Sequence, residues 1–339
     1  MVKNQNNIDS NEPVTIYIMP VSGPFFPLQL TSLYLVQKAI NNSVPDLILA
    51  TSGGGAVSAI GQSAGWNADE IWKVAEKFDS TDIFEKPSCL APAFFNWAFT
   101  GSLMCMSRNI YKLCDKFLTG KTQSPEIIFG TYCKNTNSHH LFSSVSKERG
   151  RFEKDDSSTT ITFLDGDIPS IARALMASAA VPNVIDPVCI LPNSNWQFMD
   201  GGISAPSPWS SLWESIVSRP GDLKIIYFIS TMTIGISPFK TLDIFYRLYR
   251  EFCMREHVDL IFAFKNRCKA KSKLFVELET SKLEEAIKIY KSSKEAVLLT
   301  IPAHKRDYYN FSMFNFKGKE LQSIMRRFGE ITYLVVAAL

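Results

Sequence analysis

Hydrophobic positions in this chain fall in short runs separated by polar punctuation. VTIYIMP (Val14–Pro20) is apolar and β-branched, which predicts a strand, and SLYLVQKAI (Ser32–Ile40) switches to helical spacing behind it. DLILA (Asp46–Ala50) predicts the next strand. ADEIWKVAEKF (Ala68–Phe78) has acidic residues in its first turn and apolar ones at helical spacing, the pattern of a surface helix. SIARALMASAA (Ser170–Ala180) predicts a helix ended by Pro182, and WQFMDGG (Trp196–Gly202) a strand turning at Asp200. LKIIYFIS (Leu223–Ser230), bounded by Pro-Gly, predicts a buried strand. KLEEAIKIYKSS (Lys282–Ser293) and KELQSIMRRFGEITYLVVAAL (Lys319–Leu339) predict helices, with AVLLTIP (Ala296–Pro302) a strand between them. The polar stretch Lys134–Thr160 predicts an exposed loop. Strand and helix patterns alternate along most of the chain, so the expected fold class is α/β, in layers. No internal repeat is visible, and a single domain over 14–339 is expected behind a polar, disordered lead over 1–13.

Composition narrows the function. With 339 residues, 46% of them hydrophobic and 20% charged, the chain can build a substantial core. A net charge of +3 is far below that of a dedicated nucleic-acid binder, so no nucleic-acid partner is expected. The basic run KNRCKAKSK (Lys265–Lys273) reads as a solvated helix end. Seven cysteines with no CxxC pair predict reduced thiols rather than a disulfide framework. The N-terminus lacks the apolar core of a cleavable signal peptide, which leads to an expected cytoplasmic location with peripheral membrane contact.

One stretch, Pro87–Ser107, has no charged side chain and is long enough to cross a bilayer. Pro92, Asn96, Thr100 and Gly101 interrupt it, which favours a buried loop or lid, or an interfacial surface built on Phe94, Phe95, Trp97 and Phe99, over a transmembrane helix.

The candidate chemistry starts at ATSGGG (Ala50–Gly55). A tight turn between a buried strand and a helix thrusts its central residue out of the backbone envelope, beside the helix's first free N–H groups. Ser52 sits at that position, Ala50 and Gly54 fill the flanking places of a G-x-S-x-G elbow, and the Gly53 N–H could steady an oxyanion. The same residues would also suit a flexible or phosphate-cradling loop. Ala56, Val57 and Ser58 follow the glycines where a triphosphate loop would carry lysine.

A serine needs a base. Four histidines are available: His139 and His140 in the polar stretch, His257 and His304. A Ser-Asp-His order could use Ser52, Asp200 and His257 or His304, and the alternative is a carboxylate base fixed in a tight turn. FMDGGISAPSP (Phe198–Pro208) supplies such a turn at Asp200, with two glycines that let the backbone approach another loop. In FLDGDIPS (Phe163–Ser170), Asp165 and Asp167 read as turn and helix-start residues.

Three segments together resemble the patatin-like phospholipase family. ATSGG matches the family's G-x-S-x-G elbow, DGG (Asp200–Gly202) its D-G-[GA] turn, and ALMASAAVPNVIDPV (Ala174–Val188) its A-S-x-A-x-P-x-x-F-P-P segment. The resemblance spans Val14–Pro208 and leaves the remainder unassigned. It implies a three-layer α/β/α sandwich with a mostly parallel sheet, and hydrolysis of phospholipid or other acyl-lipid esters. It also implies Ser52 as nucleophile, Asp200 as its base, and no metal or cofactor. Two departures stand out. Ala50 replaces the first elbow glycine, and the family's glycine-rich oxyanion loop reads PVSGPFFPL (Pro20–Leu28), where Gly23 is the remaining backbone donor and Ser22 a substitute. Pro24 and Pro27 have no N–H to offer. The rival readings are a lipid- or partner-binding protein that has lost efficient catalysis, and an α/β-hydrolase that uses histidine.

Overall fold

The computed structural model describes residues 13–22, 26–85, 105–106, 125–147, 150, 159–182, 185–191, 194–205, 208–229, 255–256, 258–271, 276–280, 283–302, 317–328 and 332–338. Five parallel strands form the centre: β1 (Val14–Met19), β2 (Leu47–Thr51), β5 (Glu126–Cys133), β9 (Leu223–Phe228) and β11 (Ala296–Pro302). The remaining strands of the sheet are β6 (Ser138–Ser143), β7 (Thr160–Phe163), β8 (Phe198–Asp200), β10 (Val276–Thr280) and β12 (Thr332–Ala338). The order is β10-β12-β11-β9-β1-β2-β5-β6-β7, with β8 also paired to β5.

Strands buried on both faces need near-continuous apolar runs, and β1 and β2 supply them apart from Thr15 and Thr51. Tyr17, Met19, Ile48 and Ala50 point to one face, Ile16, Ile18, Leu47 and Leu49 to the other. The first face is covered by α1 (Phe26–Ile40), α2 (Gly53–Ser63), α3 (Ala68–Lys77), α5 (Ile168–Ser178), α8 (Leu283–Ser292) and α9 (Gly318–Phe328). The second is covered by a 3₁₀ turn at Pro208–Ser211, by α6 (Trp213–Ser218) and by α7, over 258–270. The result is the expected three-layer α/β/α arrangement around a mostly parallel sheet. On α1, Gln29 donates to the carbonyls of Pro20 at 3.1 Å and Phe228 at 2.8 Å, and so holds together the exits of β1 and β9.

The helix and strand predictions over Val14–Ala50, Ala68–Phe78, Ser170–Ala180 and Leu223–Pro302 agree with the elements formed to within a few residues, except that α1 starts at Phe26, six residues ahead of Ser32, so Phe26–Leu28 of the expected oxyanion loop are helical. Asp167 caps α5 by accepting from the Ser170 N–H, as its place before the helix suggested.

Three expectations are corrected. The C-terminal stretch is a helix only through Phe328; Thr332–Ala338 is a strand that fills the gap between β10 and β11, where its TYLVV run suits a sheet better than a helix. Lys134–Thr160 is not simply a loop, because Ser138–Ser143 pairs antiparallel with β5 across a tight turn at 134–137. His140 is hidden there by its bond to Thr162 and by stacking on Phe142. Finally, the basic run at the end of α7 is only partly solvated.

In that run, the buried Arg267 donates to the carbonyls of Val217, Arg219 and Gly221 and to Glu295 at 2.9 Å, and Lys271 joins it on Glu295. Burial opposes ionisation of Glu295, but the hydrogen bonds and charges of Lys271 and Arg267 outweigh it and hold the carboxyl below its usual range. This cluster fastens α7 to the start of β9 and of β11.

A small antiparallel ribbon joins β3 (Phe84–Glu85), which follows the short α4 (Ser80–Ile83), to β4 (Cys105–Met106). Most of the charge-free stretch, including Phe94, Phe95, Trp97 and Phe99, lies outside the described residues, but the ribbon holds its two flanks side by side. Among the described residues no helix is long and apolar enough to cross a membrane, and Cys133, Cys189 and Cys268 are free thiols.

Removing the carboxylate strands a buried guanidinium, so Glu295→Ala should lower unfolding stability by about 3–5 kcal/mol. Urea denaturation checks this, and a loss below about 1 kcal/mol would show that the cluster contributes little.

Candidate active site

The edge of β5 brings the two sequence-predicted residues together. β2 runs parallel along it and stops at Thr51, whose register partner is Gly130. β8 approaches on the same edge from the opposite direction and stops at Asp200, whose partner is Thr131. The two strands therefore meet nearly end to end on adjacent rungs, and Ser52 and Asp200 are the residues at the junction. The junction tolerates no extra bulk: a Cβ on Gly201 would lie 2.4 Å from the Gly130 carbonyl oxygen.

Ser52 turns the chain from β2 into α2 with φ 54° and ψ −129°, a backbone region that L-residues rarely occupy. It stands at the N-cap without making a side-chain cap bond. Its hydroxyl lies beside the carboxyl of Asp200 and pulls that group's proton affinity down. Gly54 lets α2 start against β1, since a Cβ there would sit 2.1 Å from the Met19 carbonyl oxygen. Ala50 is buried in the core and its methyl is accommodated. The Gly53 N–H lies in the first turn of α2, where no intrahelical acceptor exists.

Asp200 is 6% exposed and Ser52 2%. Burial pushes the Asp200 carboxyl up to about 6, against the opposing pull of the Gly202 N–H, which donates to Oδ1 at 2.8 Å, and of the Ser52 hydroxyl. The backbone N–H of Asp200 donates to the Ala180 carbonyl at 3.0 Å, just beyond the end of α5. That contact gives the ALMASAA segment a physical role, because its helix end braces the aspartate.

The exit of β1 completes the surroundings. Val21 packs where a Cβ of Gly202 would go. Ser22 is fully buried and its hydroxyl has no partner among the described residues. Gly23, the expected second oxyanion donor, lies outside the described residues, as do His257 and His304. His140 is bonded to Thr162 at 2.9 Å and His139 to Ser204 at 2.7 Å, so neither ring serves the Ser52 hydroxyl. Burial lowers both imidazoles to about 4. The tie between His139 and Ser204 has no local sequence signal, since 65 residues separate the partners.

A serine on a strained strand-to-helix turn beside a buried carboxyl, in a three-layer α/β/α frame, is an arrangement in which a carboxylate can stand in for a histidine as base. The family model for patatin-like phospholipase matches residues 35–213, more than half of the chain, and the chain belongs to this family. The family acts on lipid substrates. The match includes Ser52 and Asp200 and begins after the β1 exit loop. Among curated proteins, none matches the chain.

Two stability measurements probe the site without substrate. Ser52→Gly should raise unfolding stability by about 1 kcal/mol, since glycine occupies this backbone region without strain; a destabilised variant would contradict the strain. The folded Asp200 carboxyl binds its proton more tightly than the unfolded one, so stability is lost as pH rises from about 4 to about 6. Asp200→Asn should therefore melt above wild type at pH 8, with the difference shrinking toward pH 4. Equal melting temperatures at pH 8 would contradict a strongly desolvated carboxyl.

Proposed function

We propose that this protein hydrolyses acyl esters of glycerolipids, as a phospholipase A or lysophospholipase, through a Ser52–Asp200 dyad. The observation that carries the proposal is the junction on β5 where β2 and β8 end on adjacent rungs, which sets Ser52 beside a buried carboxyl whose proton affinity is raised toward neutrality. In the first step the ionised Asp200 takes the hydroxyl proton as Ser52 Oγ attacks the ester carbonyl carbon. The developing oxyanion is held by the Gly53 N–H, with Gly23 the candidate second backbone donor and the Ser22 hydroxyl, which has no partner among the described residues, a side-chain supplement. Collapse returns the proton from Asp200 to the leaving alcohol oxygen and leaves an acyl-serine. Water then repeats the sequence: Asp200 accepts its proton, the hydroxyl oxygen attacks the acyl carbon, and collapse releases the fatty acid while Ser52 recovers its proton. Every proton in the cycle has a carrier in the dyad, so the chemistry calls for no metal or cofactor.

Residues 14–339 are read as one domain, a reading supported by the way β9, β11 and β12 extend the sheet that carries the dyad. The charge-free stretch Pro87–Ser107 is assigned to peripheral contact with the lipid surface. Its flanks are paired at Phe84–Glu85 and Cys105–Met106. A second reading, a lipid- or partner-binding protein with slow turnover, draws on the sequence Pro20–Leu28, where Pro24 and Pro27 have no N–H to donate and whose last three residues already belong to α1.

Hydrolysis of a short chromogenic ester and of mixed phospholipid vesicles is the test. Ser52→Ala and Asp200→Asn should each lower kcat/KM by about 10³-fold or more on both substrates. Wild-type kcat/KM should be high above pH 6 and fall as acid protonates Asp200 through about 6. A profile flat to pH 4, or full activity in Asp200→Asn, would exclude the dyad. A folded wild type inert on both substrates would favour the second reading.

A further inference from the structure

Asp200 stands at the head of a turn that contains two consecutive glycines, which by themselves leave the backbone loose. The turn continues as a 3₁₀ segment, Gly201–Ile203, closed by Ser204. Ser204 donates twice to the Gly201 carbonyl, from its N–H at 3.1 Å and from its hydroxyl at 3.2 Å. The same hydroxyl oxygen lies 2.7 Å from His139 Nδ1. His139 belongs to β6, on the far side of β5, and its register partner Tyr132 neighbours Thr131, the partner of Asp200. The contact therefore reaches from β6 across β5 to the far end of the Asp200 turn. Apart from the backbone register that lays Gly201 against Gly130, the other hydrogen bonds of residues 201–205 among the described residues are local to the turn.

The direction of this bond follows from the supply of protons. The Ser204 hydroxyl has one hydrogen and gives it to Gly201, so it accepts from His139 Nδ1–H. His139 Nε2 then carries only a lone pair, and this atom is buried with no partner among the described residues. The opposite tautomer would leave an N–H there with nothing to accept it. Protonation would do the same, which agrees with burial lowering the ring to about 4. The imidazole thus stays a neutral donor across the range in which Asp200 titrates. The groups packed near it are Ser204, Tyr132 across the strand pair, the neighbouring His140, and Gly130 with Pro208. Asp200 itself faces the Gly202 N–H and the Ser52 hydroxyl.

We propose that His139, acting through Ser204, is a positioning residue that holds the Asp200 turn closed over β5 and keeps the carboxyl desolvated and aimed at Ser52. The proposal rests on the reading of Asp200 as the base. Small displacements of a catalytic group cost rate rather than binding, and water admitted to the turn would let the carboxyl ionise more easily.

The test is a double-mutant cycle on the short ester, with kcat, KM and the pH profile measured for His139→Ala, Ser204→Ala and the double variant. Each single variant should lose about 10- to 100-fold in kcat with little change in KM. In each, the acid midpoint should move down from about 6 toward the usual carboxylate range. Because both changes break one bond, the double variant should be no worse than either single. His139→Asn, whose amide can donate from near the Nδ1 position, should recover part of both losses. Wild-type kcat and midpoint in folded single variants, or fully additive losses in the double, would overturn the proposal. If His139→Ala fails to fold, Ser204→Ala, at an exposed position, decides the question in the same way. Asp200→Asn measured alongside separates the two levels: an active variant removes the base and this inference with it. An inactive one beside a normal His139→Ala removes only the inference.

Discussion

Everything at the site depends on one edge of one strand. β5 offers its edge to β2 as far as Gly130 and to β8 from Thr131 onward, so a parallel and an antiparallel neighbour share it head to head. Hydrogen-bond register is discrete, and this sharing fixes where Ser52 and Asp200 meet more firmly than any loop could. α2 must leave the junction at once, which requires the strained backbone of Ser52 and the closeness of Gly54 to Met19. β8 must stop there too, which requires Gly201 to lie flat against Gly130.

Two local costs gather at the same point. Ser52 adopts a conformation that its side chain disfavours, and Asp200 holds a carboxyl where burial opposes its charge. Neither helps the fold. Both are held by layers that are otherwise conventional, with α5 bracing Asp200 from one side and the apolar core of β1 and β2 beneath. Local strain confined to a junction between well-packed elements is the arrangement expected where chemistry, rather than stability, sets the residue choice.

The legible parts of the site were those encoded locally. Ser52 among glycines and Asp200 before two more carry their turn chemistry in a few residues, and α3 and α5 announce themselves by spacing and caps. β5 has no counterpart among the predicted elements, although EIIF (Glu126–Phe129) has strand character, and β6 was obscured by two histidines that read as polar while His140 is buried. β12 continues directly from a helical pattern, and only its place between β10 and β11 makes it a strand. The raised proton affinity of Asp200 and the clamp from His139 to Ser204 are products of long-range burial and pairing, which no window of sequence contains. Membership of the patatin-like phospholipase family, inferred from three short segments, agrees with the match over residues 35–213.

The central claim is that Ser52 is a nucleophile made reactive by Asp200. A long-chain alkyl fluorophosphonate tests this most directly, because its phosphorus captures an activated serine oxygen with loss of fluoride, whatever the natural head group. Intact-mass and peptide mapping should find a single adduct on Ser52, formed much more slowly in Asp200→Asn. An adduct elsewhere, or equal labelling of wild type and Ser52→Ala, would contradict the account.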